Sequence, residues 1–258
     1  MKNLKPILAV CLCVLLWSVS GAYAQTTSNP KIAASTSWTA AIARAAGGRD
    51  ITIIAPLELQ HPPEYEIKPS DLEAARGADF IIYAGYEKFA ERLAAVSGGS
   101  KTKVLKIYTD NLPSVFKKEA KAVAEAFGTI PLYEQWEANF DRQLNSMRTK
   151  ILDAYPDRRA VVHKFLAAQA EWLGFEVVGT FGPGEGSPQT LLKLVALKPA
   201  VIIDNWHNVS GKSLAESLPG SAYAELINFP GRDGSATIEG VFSYNEKRFL
   251  EASKKTGR

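Results

Sequence analysis

The chain has 258 residues, and its 30 Lys and Arg against 27 Asp and Glu leave a formal charge of +3. With 46% apolar residues, this is the composition of a globular protein, and it excludes a disordered or collagen-like chain. Nucleic-acid binding needs a concentrated basic face, so the near-neutral balance argues against that class.

The first 24 residues have the pattern of an export signal. Lys2 and Lys5 precede an apolar run at 7–17, and Ala-Tyr-Ala at 22–24 is a small-x-small cleavage site. The apolar run is too short to span a bilayer comfortably, so we expect no stable membrane insertion. We therefore predict that residues 1–24 are removed and that the mature protein is periplasmic.

Both cysteines, Cys11 and Cys13, lie inside the predicted signal. The mature protein would then have no disulfide, and any metal site would use His, Asp and Glu. Lipidation at Cys11 is the alternative processing route, but bulky Val10 stands where a lipoprotein signal has a small residue.

From residue 31 onward, short aliphatic runs alternate with stretches of helical spacing. In the first half the predicted strands are 31–35, 51–55, 80–84 and 104–108, and the predicted helices are 37–46, 69–76 and 87–96. In the second half the predicted strands are 160–163, 176–181, 200–204 and 224–228, and the predicted helices are 164–173, 188–195, 210–218 and 244–254. This alternation predicts an α/β fold with two lobes, each a mostly parallel sheet flanked by helices.

One long helical pattern lies between the two halves. Apolar residues recur every three or four positions from Leu132 to Tyr155, between Pro131 and Pro156. The pattern predicts a backbone helix of about 36 Å that joins the lobes and limits how far they swing. The expected domains are a signal peptide at 1–24, an N-terminal α/β lobe at 25–130, the linking helix at 131–156 and a C-terminal α/β lobe at 157–258.

The chain has three histidines, and each lies at or beyond the end of a predicted strand: His61, His163 and His207. Ligands of open α/β sheets bind outside the carboxyl ends of the strands, so these side chains are expected to face a common crevice. Glu185, in the glycine-rich turn at 182–188, is the fourth candidate ligand. Three imidazoles and a carboxylate suit zinc, whereas manganese prefers more oxygen ligands.

The same turn has a second interpretation as a phosphate-cradling loop. Ser187 stands where a G-x-G-x-x-G loop has its third glycine, and the carboxylate of Glu185 would repel phosphate. The turn therefore argues against nucleotide binding.

Several separated segments resemble one family of receptors. The chain carries YEIKPSD at 65–71, ADFIIY at 78–83, a glycine eleven residues after His163, and EGSPQ at 185–189. These segments resemble the periplasmic solute-binding proteins of zinc and manganese ABC importers, the cluster A-I type. The resemblance implies a monomeric two-lobe binder with an ABC permease as partner, and it places His163 and Glu185 at ligand positions of the family. With the other two histidines, the expected metal ligands are His61, His163, Glu185 and His207.

The sequence departs from that family at two ligand positions. The family's first histidine lies two residues before the tyrosine, where this chain has Pro63, while His61 lies two residues further upstream. Either the loop takes a different path or Glu64 replaces the histidine. The family's last acidic ligand, expected near 229–230, is missing, and His207 or Asp204 would replace it.

These observations predict a receptor that captures a divalent transition metal between its lobes and delivers it to a permease, with zinc favoured over manganese. Four protein ligands leave no open position for an activated water, so the protein is not expected to be an enzyme. One alternative is a receptor for an organic solute or a metal chelate, stacked on Trp38, Trp206 and Tyr65. The other is an exported zinc-dependent hydrolase with Glu64 as its base.

Overall fold

A computed structural model describes residues 29–96, 101–184 and 186–255. The signal peptide predicted at 1–24, the lipidation alternative at Cys11 and the predicted ligand Glu185 lie outside the described residues.

Two four-stranded sheets form the two halves of the fold. The first contains β1 (Lys31–Ala34), β2 (Asp50–Ile53), β3 (Phe80–Tyr83) and β4 (Lys103–Lys106). The second contains β5 (Arg159–His163), β6 (Glu176–Phe181), β7 (Val201–Asn205) and β8 (Ala222–Leu226). The strand orders are β2-β1-β3-β4 and β6-β5-β7-β8, and every pairing in them is parallel. The predicted α/β class, with two mostly parallel sheets, is confirmed.

Helices connect and flank these strands. The first half contains α1 (Ser37–Ala45), α2 (Pro69–Arg76), α3 (Ala90–Ala95) and α4 (Pro113–Phe127), and α5 (Ile130–Ala154) follows. The second half contains α6 (Ala167–Leu173), α7 (Pro188–Ala196), α8 (Lys212–Ser217) and α9 (Ile238–Lys255). Helix α9 begins six residues before the predicted start at 244.

Helix α4 is absent from the sequence-based prediction. Pro113 lies in its first turn, where a missing N–H costs nothing, and Gly128 ends it in the left-handed conformation with φ = 74°. Phe116, Ala120 and Val123 form its buried face. The signals of a helix were therefore present in the sequence between β4 and the long helix.

The long helix α5 confirms the element predicted between the halves. Its 25 residues correspond to about 37 Å. Its buried residues recur at helical spacing, and they are Tyr133, Phe140, Leu144, Met147 and Ile151. The domain boundaries drawn around it stay a prediction.

One continuous hydrophobic core joins the two halves. It runs from Ile32 on the first sheet through Phe140 and Phe242 to Val162 on the second, and it includes residues of α1, α4, α5 and α9. Smaller apolar clusters lie on the other face of each sheet, under α2 and α3 in the first and under α7 and α8 in the second. Because close-packed side chains do not slide freely, a core shared between lobes restricts their relative movement.

Within the part of the chain that is described, no helix is both long and apolar enough to cross a bilayer.

Candidate metal centre

The strand order reverses at the same point in both sheets, between β1 and β3 and between β5 and β7. A crevice opens at such a reversal, beyond the carboxyl ends of the strands. His163 is the last residue of β5, and His207 follows β7 by two residues. The sheet topology therefore places both histidines at the switch point of the second sheet.

The imidazole of His163 is fully buried, with 0% of the residue exposed. Its Nδ1 accepts a hydrogen bond of 3.3 Å from the backbone N–H of Phe165, whereas its Nε2 has no hydrogen-bond partner in the structure described. Burial lowers the pKa of His163, against the opposing charge of Asp204. At neutral pH the ring is therefore uncharged and has one unsatisfied nitrogen.

That nitrogen lies against the glycine-rich turn. A Cβ atom at Gly182 would lie 2.6 Å from Nε2 of His163 and 3.3 Å from Oγ of Ser210. Gly182 also has a φ of +67°, a backbone conformation that residues other than glycine rarely adopt. The glycine lets the backbone approach the ring, and the chain runs from there through Pro183 and Gly184 to Glu185.

His207 and His61 line a second part of the same region. They share a cavity of about 330 Å³ with Gln60, Gly184 and Ser210. His207 is 3% exposed, while His61 is exposed on the loop that follows β2. Burial, with the positive charges of His61 and Arg232, lowers the pKa of His207 to about 3. The two lobes thus bring one histidine each to a common cavity.

The described residues do not complete a metal-binding cluster. In the three described segments, no three His, Cys, Asp or Glu side chains are grouped so that they could hold an ion. The structure brings His61 and His207 to one cavity and His163 to the adjoining turn, and the fourth predicted ligand, Glu185, lies outside the described residues.

Asp204, the alternative to His207, is engaged elsewhere. Its Oδ1 accepts from the backbone N–H groups of Asn205 and Ser210, and its Oδ2 accepts from Gly211 N–H at 2.8 Å and from Tyr223 Oη at 2.7 Å. These four donors fix the loop that carries His207. Both oxygen atoms of Asp204 are thus used to orient the loop, whereas His207 lines the cavity.

Glu64, the alternative to His61, is exposed at the end of a short 3₁₀ turn at Pro62–Glu64. Of the two residues, His61 is the one that lines the cavity with His207. Glu64 is not among the described residues that line it.

Cation binding would change the tautomer of the buried rings. His207 Nδ1 accepts from the N–H of Asn228 at 3.5 Å, as His163 Nδ1 does from Phe165. A neutral ring with Nδ1 as acceptor carries its proton on Nε2, so ligation through Nε2 requires the proton to move to Nδ1. After that shift each Nδ1–H faces a backbone N–H, so both donors need new acceptors when a cation binds.

Three side-chain hydrogen bonds hold the lobes together near the site. Trp38 Nε1 donates to the carbonyl of Asn228 at 2.5 Å, Gln60 Nε2 to that of Trp206 at 3.0 Å and Arg44 to that of Ala236 at 3.1 Å. At Gly231 the contact is closer still, because a Cβ there would lie 2.1 Å from the carbonyl oxygen of Leu57.

Solved structures of metal-binding and adhesin proteins share this architecture. The laminin-binding protein Lbp of Streptococcus pyogenes is 16% identical, with a TM-score of 0.66, over 87% of this chain and 99% of that one. A periplasmic metal-binding protein of Candidatus Liberibacter asiaticus is 14% identical, with a TM-score of 0.66 and the same coverage. The SBP FpvC of Pseudomonas aeruginosa, in complex with Mn²⁺, is 17% identical, with a TM-score of 0.65, over 89% of this chain and 99% of that one.

The chain has their fold. The sequence itself matches no protein-family model and no curated protein.

A larger cavity, of about 610 Å³, lies between the lobes. Aromatic residues of both halves line it, and these are Trp38, Tyr86, Phe165 and Phe229.

Of the three aromatic residues predicted to stack on an organic solute, only Trp38 is among the described residues that line this cavity. Tyr65 packs edge-on against Phe89, and the ring of Trp206 is covered by Arg232 at 4.6 Å. The sequence reasoning missed Tyr86, Phe165 and Phe229, because no local pattern distinguishes them from core aromatics.

Proposed function

We propose that this protein is a periplasmic receptor that captures a divalent transition metal between its lobes and delivers it to an ABC permease. The observation that carries the proposal is the unsatisfied Nε2 of fully buried His163. Leaving such a group without a partner costs about 1–3 kcal/mol, and a bound cation would provide the partner once the ring proton has moved to Nδ1. The fold shared with metal-binding proteins supports the same conclusion.

The proposed ligands are His61, His163, Glu185 and His207. The cavity that holds His61 and His207 includes Gly184, the residue before Glu185, and Ser210, whose Oγ lies beside the same glycine as His163 Nε2. The proposal requires the turn at 182–188 and the two lobes to bring the four side chains around one ion. With four protein ligands the ion has no open position, so the protein acts as a binder and not as a hydrolase.

Zinc is the preferred metal on chemical grounds. Three imidazoles and one carboxylate form a tetrahedral nitrogen-rich set, which suits zinc better than manganese. The compared FpvC structure contains Mn²⁺, so manganese is the competitor against which the preference is measured. The remaining features of the proposal are a cleaved signal at 1–24, a monomer, and lobes at 25–130 and 157–258 joined by the helix at 131–156.

Calorimetry on the metal-free protein near neutral pH tests the proposal. We expect saturable zinc binding that is tighter than manganese binding. His163→Ala should weaken zinc binding more than about 100-fold, since even changes outside the ligand set cost 10–100-fold. Lys121→Ala, at an exposed position of α4, should leave the affinity unchanged. Unchanged affinity in His163→Ala would refute the site.

Cobalt(II) provides a second measurement that does not depend on affinity. A tetrahedral nitrogen-rich site gives bound Co²⁺ intense visible absorption bands, and these should change in His61→Ala, Glu185→Gln and His207→Ala. A spectrum that stays the same in Glu185→Gln would remove Glu185 from the ligand set.

A further inference from the structure

We propose that the 610 Å³ cavity between the lobes is a second binding site, for an uncharged planar aromatic molecule that carries two hydrogen-bond donor groups. This site does not require the metal centre. Its volume lies in the range of cavities that hold small organic ligands, about 300–1,000 Å³.

The walls are aromatic and come from both lobes. Trp38 and Tyr86 belong to the first half, and Phe165 and Phe229 to the second. Tyr86 is 42% exposed and Phe165 is 45% exposed, although large aromatic side chains are normally covered. Their rings offer stacking and edge-on contacts to a flat ligand entering between the lobes.

Two buried oxygen atoms give the cavity its polar specificity. Gln169 is 3% exposed and Asn228 is 7% exposed, and both line the cavity. Gln169 Oε1 and Asn228 Oδ1 find no hydrogen-bond partner in the described parts of the chain. Amide oxygens are acceptors, so a ligand that satisfies them must present N–H or O–H groups.

The charges at the cavity favour a neutral ligand. Lys164 and Asp110 both line it and are exposed, and their charges are of opposite sign. A ligand with a net charge would be attracted by one and repelled by the other, whereas an uncharged ligand is not affected.

Two of the aromatic residues that line the cavity also contact the histidine rings. The ring of Phe165 lies 5.1 Å from that of His163, and the ring of Phe229 lies 5.4 Å from that of His207. Gln169 lies on α6, beyond Phe165, and is not among the residues around His61 and His207. A substitution of Gln169 therefore changes the larger cavity without changing a residue that lines the cavity of His61 and His207.

Two non-chelating diols serve as probes, resorcinol and 2,7-dihydroxynaphthalene, each compared with its dimethyl ether in the presence of a metal chelator. We expect at least one diol to bind the wild-type protein with a dissociation constant below about 1 mM, by calorimetry or ligand-observed NMR. Its ether, which has the same ring but no donor, should bind about tenfold more weakly.

Gln169→Leu removes one acceptor and should weaken diol binding about tenfold while zinc affinity is retained. Because Oε1 has no partner to lose, this variant should be at least as stable as the wild type, so a loss of binding is not a loss of folding. Gln135→Leu, at an exposed position of α5, is the matched control and should change neither binding nor stability.

The proposal is overturned if neither diol binds below about 5 mM, if diol and ether bind equally, or if Gln169→Leu binds the diol as the wild type does. A failure of zinc binding would not affect these outcomes, because a chelator removes metal from every diol and ether titration.

Discussion

His207 is a buried imidazole held without a charge, and burial is the main cause. An imidazole in an unfolded chain takes up a proton near pH 6.5, whereas the pKa of about 3 keeps folded His207 neutral until far lower pH. As the pH falls, the unfolded state therefore binds a proton that the folded state does not. The free energy of unfolding decreases as a result.

For the metal-free protein this effect amounts to about 2 kcal/mol of lost stability between pH 7.5 and pH 5 from His207 alone. The lowered pKa of His163 acts in the same direction. Urea unfolding at a series of pH values measures it, and His207→Gln should show a shallower decline over the same interval. Equal slopes for the two proteins would show that His207 is not neutral in the folded state.

At this scale the sequence predicts which residue types lie at the strand ends but not their environment. His61, His163 and His207 follow strands, and that position is readable from the hydrophobic pattern. The isolation of His163 Nε2, and the use of Asp204 to fix a loop, depend on residues distant in sequence, such as Gly182 and Tyr223. The sequence likewise does not predict that the side-chain oxygens of Gln169 and Asn228 have no hydrogen-bond partner in the described structure, because that also depends on residues distant in sequence.

Among the elements, α5 is predicted most accurately because its apolar residues keep one helical period over 25 positions. The sequence-based prediction omits α4 although Pro113 and Gly128 mark its ends. A strict alternation of strands and helices has no place for two successive helices such as α4 and α5. Helix α3 is shorter than predicted and starts at Ala90, because Glu87 turns back to accept hydrogen bonds from the backbone of Ala84 and Gly85.

The contribution of α5 to stability is measurable at Phe140. This side chain is fully buried, stacks on Trp136 at 5.0 Å and meets Phe242 edge-on at 5.3 Å. We expect Phe140→Ala to lower the free energy of unfolding by about 3–5 kcal/mol.

The control is Glu134→Ala, at an exposed position of the same helix, which should change stability by less than about 0.5 kcal/mol. Chemical denaturation of both variants tests the expectation. A loss below about 1 kcal/mol in Phe140→Ala would mean that the shared core does not depend on this helix.

The whole molecule consists of two sheets with the same strand order, packed on one core. The alternation of strands and helices predicts two parallel sheets, and it is sufficient for the fold class. It does not predict that α1, α4 and α9 join α5 in a core common to both lobes, because that contact depends on residues far apart in sequence, such as Trp38, Phe116 and Phe242.

The lobes approach each other closely at Gly231, where φ is +140° and a Cβ would lie 2.1 Å from the oxygen of Leu57. Gly231→Ala should push the loop that carries Leu57 and His61 away from the loop that follows β8. We expect weaker zinc binding and a larger radius of gyration by small-angle X-ray scattering.

Gly234→Ala is the matched control, since Gly234 has a φ of +76° but nothing within 4 Å of an added Cβ. It should incur only the backbone strain, of about 1–2 kcal/mol, with zinc affinity preserved. If the two variants behave alike, the strain and not the close approach of the lobes is responsible.

The three side-chain hydrogen bonds between the lobes share a property that bears on how the sequence can change over evolutionary time. Trp38, Gln60 and Arg44 all donate to main-chain carbonyls, those of Asn228, Trp206 and Ala236. A carbonyl acceptor is present whatever residue occupies the position. The three bonds therefore do not depend on which side chains occupy positions 206, 228 and 236, so substitutions there can change the lining of the cavities without removing the bonds.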